Sequence, residues 1–163
     1  MDKDEADLIN EVSTLYEAGQ PTAALELLTE HMDRRKPDLL LWMGLLTEVV
    51  FGADRLAEVA EYYRVASDLG DTIASYNLGV TYQQMGMIDK AEASFLKAKQ
   101  EGHISAELKL ILIILDRGGP SSQEAIEAAN EIDLSEDDRI FDEYLIGEIF
   151  EKSNGRIDLR AAA

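Results

Sequence analysis

Apolar and small residues recur at helical spacing on both sides of a short turn in residues 76–102. In the first half, the residues that recur at helical spacing are Tyr76, Leu78, Gly79, Tyr82 and Met85. In the second half they are Ala91, Phe95, Leu96 and Ala98. Between them, Gly86 suits the left-handed residue at a helix C-terminus, and Asp89 is predicted to cap the next helix. The stretch predicts a helical hairpin with one wide apolar face.

The same pattern predicts helices before and after this hairpin. We expect them at residues 7–18, from 21 to the basic segment 34–37, and at 39–50, 56–69, 104–117, 123–130 and 136–153. The predicted N-caps are Asp38, Asp71 or Thr72, Ser122 and Ser135. Residues 104–117 contain a run of Leu and Ile that also suits a strand. We predict a helix there because the register of the repeat requires it and the segment is long for a strand.

Equivalent positions recur at nearly constant intervals along the chain. With Gly79 as the reference in first helices, the equivalents are Val12, Gly44, Ile111 and Gly147, at successive spacings of 32, 35, 32 and 36 residues. With Ala91 as the reference in second helices, they are Ala24, Val59 and Ala125, at spacings of 35, 32 and 34. Such a period is typical of helical solenoids, whose stacked helix pairs share a core.

The motif at these positions resembles the tetratricopeptide repeat, with Leu-Gly-x-x-Tyr at residues 78–82 and Ala-x-x-x-aromatic-x-x-Ala at residues 91–98. The Tyr76-Asn77-Leu78-Gly79 opening and the later Gly102 look closer to the Sel-one-like variant. The resemblance covers roughly residues 6–156 and implies an all-α, right-handed α-solenoid of about four and a half antiparallel helix pairs. We expect a single array over residues 1–163. Its repeats would lie at roughly 6–36, 38–70, 72–102, 104–131 and 135–160, the last incomplete.

The resemblance also implies that first helices line a concave groove in which peptides bind. Its usual groove positions, carried over residue by residue, give these partner-binding residues: Tyr16, Leu41, Glu48, Tyr76, Val80, Gln83, Tyr144, Glu148 and Glu151. The same step adds further positions at Ile9, Ser13, Leu45, Leu108, Leu112 and Leu115. For Tyr76 and Tyr144 the alternative is packing between adjacent repeats.

Composition fits this fold and limits the partners. Hydrophobic residues make up 46% of the 163, so the chain can bury a core, and the net charge is −18. So acidic a chain argues against nucleic acid and anionic membranes, and electrostatic steering favours a basic protein or peptide. The alternative is that the charge only keeps solvated helix faces soluble. We see no signal peptide and no apolar run of membrane length, and we expect a soluble, cytoplasmic protein.

Two features near the C-terminus extend these expectations. The stretch Glu131–Glu143 holds seven acidic residues and one arginine. It suits a basic partner or a divalent cation or, alternatively, a solvated loop that leads into an acidic helix start.

Residues 156–163 match the beginning of a second helix and then end. If that helix is missing, Leu145, Ile149 and Phe150 lack cover, and self-association through this end is expected.

No arrangement of catalytic residues can be recognised in the sequence. Cysteine is absent, and the two histidines, His31 and His103, lie far apart without a second histidine at metal-ligand spacing. Gly118-Gly119 precede a proline and lack the lysine of a phosphate-binding loop. We therefore expect no enzymatic activity, no cofactor and no metal. The predicted function is a protein–protein interaction scaffold. The alternative is an acidic dedicated chaperone, or an inhibitor or immunity-type protein, for a basic client.

Overall fold

The chain is built from α-helices in the computed structural model, which describes residues 4–33, 36–135 and 142–160. The helices are α1 (Glu5–Glu17), α2 (Pro21–Glu30), α3 (Pro37–Phe51), α4 (Leu56–Asp68), α5 (Thr72–Gln84), α6 (Ile88–Gln100), α7 (Ile104–Gly118), α8 (Gln123–Glu131) and α9 (Glu143–Lys152), with a 3-10 turn at Gly52–Arg55. The described residues contain no strand, so the predicted helix over 104–117 is confirmed. None of these helices combines the length and apolar character that crossing a lipid bilayer requires.

The helix starts follow the predicted caps in two places and depart from them in two others. The side chains of Asp71 and Ser122 each accept a hydrogen bond from the backbone N–H three residues on, at 2.6 and 3.3 Å. Asp38 and Asp89, by contrast, lie within the first turns of α3 and α6, so their prediction as caps is wrong. The helix α3 begins two residues earlier than predicted because Pro37, with its ring-fixed φ, occupies the first helical position.

The helix ends show which chain breakers act as predicted. Gly86 and Gly102 take the left-handed conformation, with φ of 72° and 88°, and close α5 and α6. The helix α2 already ends at Glu30, before the basic segment 34–37, of which residues 34 and 35 lie outside the described part of the chain. The predicted start of the last helix at Glu136 also lies outside it, together with residues 136–141 of the acidic stretch.

The chain divides into two compact units, residues 1–91 and 92–163, with the boundary inside α6. In the first unit, α1 to α4 each pack against the next helix along the chain. The odd-numbered helices also meet. Glu5 near the start of α1 pairs at 2.8 Å with Lys36, just before α3, and Gln84 at the end of α5 donates to Glu48 near the end of α3 at 2.9 Å. Because like ends meet, α1, α3 and α5 run parallel.

In the second unit, α7 packs against both α8 and α9. The hydroxyl of Ser105 near the start of α7 donates at 3.0 Å to the buried carboxylate of Asp142, just before α9. At the other end, Asp116 of α7 pairs with Lys152 of α9. These two helices are therefore parallel, the same relation that links odd-numbered helices in the first unit.

Burial recurs at the positions that the repeat register predicts. The reference positions of second helices are fully buried in Ala24, Val59, Ala91 and Ala125. The position four residues later, which is Phe95 in the reference repeat, is buried as well. Its occupants are Leu28, Tyr63, Phe95 and Ala129. In first helices Val12, Gly44, Gly79 and Ile111 are buried, and Gly147 is half-buried. The repeating helix pair is thus seen in the packing of individual residues, while a single array over the whole chain stays a prediction.

The C-terminal tail covers the last helix instead of leaving it open. Ile157 is buried in the same cluster as Leu145 and Ile149, and both of these are buried too. The guanidinium of Arg160 lies 3.6 Å above the ring of Phe150. The expectation that these α9 side chains lack cover is wrong, because non-helical residues after α9 pack against them. The apolar surface expected to drive self-association is therefore covered.

Candidate functional site

Three parallel helices of the first unit carry matching stripes of half-buried side chains. In each helix the stripe follows positions i, i+4 and i+7, which share one face. It consists of Ile9, Ser13 and Tyr16 on α1, Leu41, Leu45 and Glu48 on α3, and Tyr76, Val80 and Gln83 on α5. We call these nine residues, with Trp42 and Gln84 that contact them, the three-helix face. Six of the nine predicted partner-binding residues lie on it.

Direct contacts join the stripes of neighbouring first helices. The rings of Tyr16 on α1 and Trp42 on α3 meet edge to face, with centroids 5.8 Å apart and an interplanar angle of 71°. On the other side of α3, Gln84 of α5 holds the carboxylate of Glu48 through the 2.9 Å hydrogen bond. An aromatic contact and a polar contact therefore fix the three helices against one another, and the face is preorganised.

The chemistry of this face differs from the acidic average of the chain. Among its nine stripe residues, Glu48 is the only charged one, and the others are aliphatic, tyrosine, serine or glutamine. Tyrosine and tryptophan offer large apolar area with a polar edge, and both are enriched where proteins bind one another. The face can therefore bury apolar groups of a partner and donate or accept a few hydrogen bonds.

Trp42 is a residue of this face that the sequence prediction missed. It is the only tryptophan of the chain and is half-buried. The groove positions taken over from the repeat family include Leu41, the residue before it. They do not include Trp42 because they keep strictly to the i, i+4 and i+7 spacing. The signal that could have found Trp42 was its large side chain next to a groove position, within reach of the neighbouring helix.

Below the face, Tyr63 of α4 supports α3. It is buried, and its ring lies so close to Gly44 that a Cβ there would be 2.8 Å from two ring carbons. Burial raises the pKa of the Tyr63 phenol well above its usual range, and the carboxylate of Glu48 adds to this shift. The phenol therefore stays neutral at ordinary pH, and Tyr63 acts in packing.

The remaining three predicted residues lie on α9 in the second unit. Tyr144 is 79% exposed, so the alternative that it packs between repeats is wrong. Glu151 is exposed, while Glu148 is half-buried and pairs with Lys152 at 3.5 Å. A hydrogen bond to Asp116 raises the pKa of Lys152, which stays charged. This group is thus polar and open, unlike the mainly apolar three-helix face.

Helix α7 does not offer a stripe of the same kind. Its groove positions, predicted at Leu108, Leu112 and Leu115, are buried in the core of the second unit. The run of Leu and Ile in α7 is apolar on nearly every side, so the helix buries positions that α1, α3 and α5 leave half-open. The prediction that these three leucines line a binding surface is wrong.

The surroundings of the two histidines and of the acidic residues indicate a structural role. His103 stands just before α7 and is half-buried, and burial lowers its pKa while Asp142 acts in the opposite direction. His31 ends α2, where its Nδ1 lies 3.0 Å from the carbonyl oxygen of Leu27. Within residues 4–33, 36–135 and 142–160, no three His, Asp or Glu side chains stand close enough to share a metal ion.

Solved structures share this fold. One crystal structure of MamA has 24% sequence identity to this chain and a TM-score of 0.64, and the match covers 74% of this chain and 71% of that one. A second MamA structure has 20% identity and a TM-score of 0.57, over 96% of this chain and 76% of that one. A Sel1 repeat protein from Oxalobacter formigenes has 20% identity and a TM-score of 0.62, over 93% of this chain and 62% of that one.

The comparisons establish the fold of the chain. No protein-family model matches it, and no curated protein does. The structural matches confirm the predicted all-α helical-repeat fold and, at the level of the fold, the likeness to tetratricopeptide and Sel-one-like repeats. The chain spans less than two thirds of the Sel1 repeat protein, so the activity of that whole protein is not carried over.

Proposed function

We propose that the chain is a non-catalytic scaffold that binds a protein partner on the three-helix face. The observation that carries this proposal is the stripe of half-buried side chains that recurs at the same register on α1, α3 and α5. Three parallel stripes in contact form one continuous surface. A surface of this kind can receive an extended or helical segment that crosses all three helices.

The residues divide into roles that follow from their chemistry. Tyr16 and Trp42 are the aromatic anchors, since a few large residues near the centre of an interface provide most of its affinity. Tyr76 and Val80 extend the apolar contact along α5. Gln83 supplies an amide that can donate to and accept from a partner backbone. Because edge-to-face packing already restricts the rings of Tyr16 and Trp42, these two side chains lose little conformational entropy on binding.

The exposed group on α9 is part of the same proposal as a separate polar contact. Tyr144, Glu148 and Glu151 would meet a basic region of the partner, as the net charge of −18 favours. A cytoplasmic location belongs to the proposal as well, as the setting in which such a partner is met.

A second candidate function is that of a dedicated acidic chaperone or inhibitor for one basic client. The specific observation in its favour is the excess of 33 acidic over 15 basic residues. The two functions differ in stoichiometry and in salt dependence. A client held by charge would co-purify in a one-to-one complex and dissociate in high salt. A partner bound on the three-helix face would remain.

The test compares two substitutions in the first unit. The partner is captured with the tagged chain and identified, and its affinity is then measured through the emission of Trp42. We expect Tyr76→Ala to weaken binding by about tenfold or more, the usual loss when an important aromatic residue of an interface is removed. The control is Leu69→Ala, which removes an apolar side chain that is 48% exposed just after α4 and lies outside the three-helix face.

Two results decide the proposal. A loss with Tyr76→Ala and wild-type affinity with Leu69→Ala supports binding on the three-helix face. Wild-type affinity in both variants, with no change in Trp42 emission on adding the partner, would exclude this face as the site. Circular dichroism of each variant controls for loss of fold.

A further inference from the structure

A cleft of about 500 Å³ opens in the first unit between α2 and α4, and it includes none of the three-helix face. Its floor consists of Met43 and Thr47 of α3 with Tyr62 of α4, all of them buried. Cavities of about 300 to 1,000 Å³ accept groups the size of a ligand or several side chains. The second helices, which the repeat pattern treats only as support, therefore carry a concave surface of their own. We call it the α2–α4 cleft.

The wall of the α2–α4 cleft is apolar and in part exposed. Leu25 of α2 and Val50 near the end of α3 are half-buried, and Phe51, the last residue of α3, is 37% exposed. Part of the Phe51 ring therefore stays in contact with water beside the buried floor. The occupant should therefore present apolar side chains.

The rim of the cleft is acidic. Glu26 and Glu30 stand one turn apart on α2, both exposed, and Glu58 stands on α4. No Lys or Arg among the described residues pairs with Glu26 or Glu30. The cation among the described lining residues, Arg55, is engaged within the chain, since it pairs with Glu58 at 3.3 Å and lies 3.9 Å above the ring of Phe51. The rim thus presents two uncompensated carboxylates to an occupant.

We propose that the α2–α4 cleft binds a basic amphipathic helical segment of a partner protein. Glu26 and Glu30 are four residues apart on a helix, about 6 Å along its axis. Lysine or arginine residues at the same spacing on a second helix would pair with both carboxylates. Leucine or phenylalanine on the adjoining face would then enter the space between Leu25 and Phe51. Charge complementarity at the rim and apolar contact at the wall select the same kind of segment.

This binding mode is independent of the three-helix face. The α2–α4 cleft lies on second helices and on residues of α3 outside its stripe. One chain can therefore hold two segments, one on each surface, and link two proteins. Either surface can fail its test without affecting the other.

The experiment measures fluorescence anisotropy with a labelled probe peptide and the full chain. The probe is a leucine–lysine peptide of about 14 residues, roughly 21 Å long as a helix. A scrambled peptide of equal composition, without an apolar face, is the control ligand. We expect the Glu26→Gln, Glu30→Gln double variant to bind the probe about three- to tenfold more weakly, as the loss of two exposed ion pairs implies. Phe51→Ser removes the apolar part and should weaken binding as well.

A matched variant separates site binding from general attraction to an acidic chain. Asp7→Asn with Glu11→Gln removes the same two charges from α1, where both residues are exposed and also four positions apart. We expect this variant to bind the probe like the wild type. An equal loss in both double variants would show that charge alone attracts the peptide and would overturn the proposal.

The same variants also test whether the α2–α4 cleft instead binds a second copy of the chain. Sedimentation velocity of wild type and of Phe51→Ser gives the oligomeric state. If Phe51→Ser abolishes a dimer while no variant affects probe binding, the occupant is a second copy and the proposal is wrong. Unchanged probe affinity in all variants would overturn it too.

Discussion

Gly44 and Gly147 occupy the same register position but have different surroundings. Gly44 lies on α3, where the ring of buried Tyr63 fills the space in which a Cβ would stand. Around Gly147 on α9, no atom of the described residues outside its own helix lies within 4 Å of such a Cβ. The first glycine lets two helices approach closely, and the second meets no packed neighbour.

We expect Gly44→Ala to lower the free energy of unfolding by about 1–3 kcal/mol, the usual cost of overpacking a core. Gly147→Ala should raise it by about 0.5–1 kcal/mol, because alanine loses less backbone entropy in a helix and meets no obstacle. Urea unfolding of both variants, followed by circular dichroism, measures the difference. A Gly44→Ala variant as stable as the wild type would show that the contact with Tyr63 is not a constraint.

Residue-level roles could be predicted from the sequence only in part. The register correctly placed small and apolar residues at buried positions, because that pattern depends on the chain alone. It could not tell that Gly44 is crowded and Gly147 is open, since this depends on whether a large side chain such as that of Tyr63 packs against the glycine. Trp42 was missed for a related reason, because its contact with Tyr16 lies across two helices and leaves no periodic signal.

At the scale of helices, capping separates aspartates that look alike in the sequence. Asp71 accepts a backbone N–H at 2.6 Å and begins α5, whereas Asp89 lies inside the first turn of α6. A cap satisfies a backbone donor that has no partner within the helix, while an acid in the first turn only interacts with the helix dipole.

Asp71→Ala should cost about 0.5–2 kcal/mol of stability, the range for removal of an N-cap. Asp71→Asn keeps the accepting oxygen and should lose little. Asp89→Ala serves as the comparison and should cost less than Asp71→Ala. Thermal unfolding of the three variants gives the order. Equal losses for Asp71→Ala and Asp89→Ala would mean that both side chains act through charge alone.

Helix positions were predictable because glycines, prolines and helical periodicity are strong local signals. The error at Asp38 was local too, since Pro37 takes the first helical position and shifts the start. The error at α7 has a different origin. A helix that is apolar on nearly all sides gives no sign of which side faces water, so the burial of Leu108, Leu112 and Leu115 could not be derived from register.

At the scale of the molecule, the first unit brings α1, α3 and α5 together into the three-helix face. The stripe positions of this face could be predicted from the repeat register. On our proposal, α1, α3 and α5 present a partner-binding surface through their half-buried stripes. The α2–α4 cleft adds a second surface with an acidic rim, on second helices and on residues of α3 outside its stripe. The strong net negative charge therefore bears most directly on the cleft and on α9, and the three-helix face owes its chemistry to aromatic and aliphatic side chains.

Site-specific photo-cross-linking in the cell of origin tests the central claim most directly. A benzophenone amino acid replaces, one at a time, Tyr76 and Gln83 on the three-helix face and Leu69, which is exposed just after α4 and lies outside this face. We predict that Tyr76 and Gln83 each give the same covalent adduct with one other protein, and that Leu69 gives none. Adducts from Leu69 without any from Tyr76 and Gln83 would contradict binding on this face.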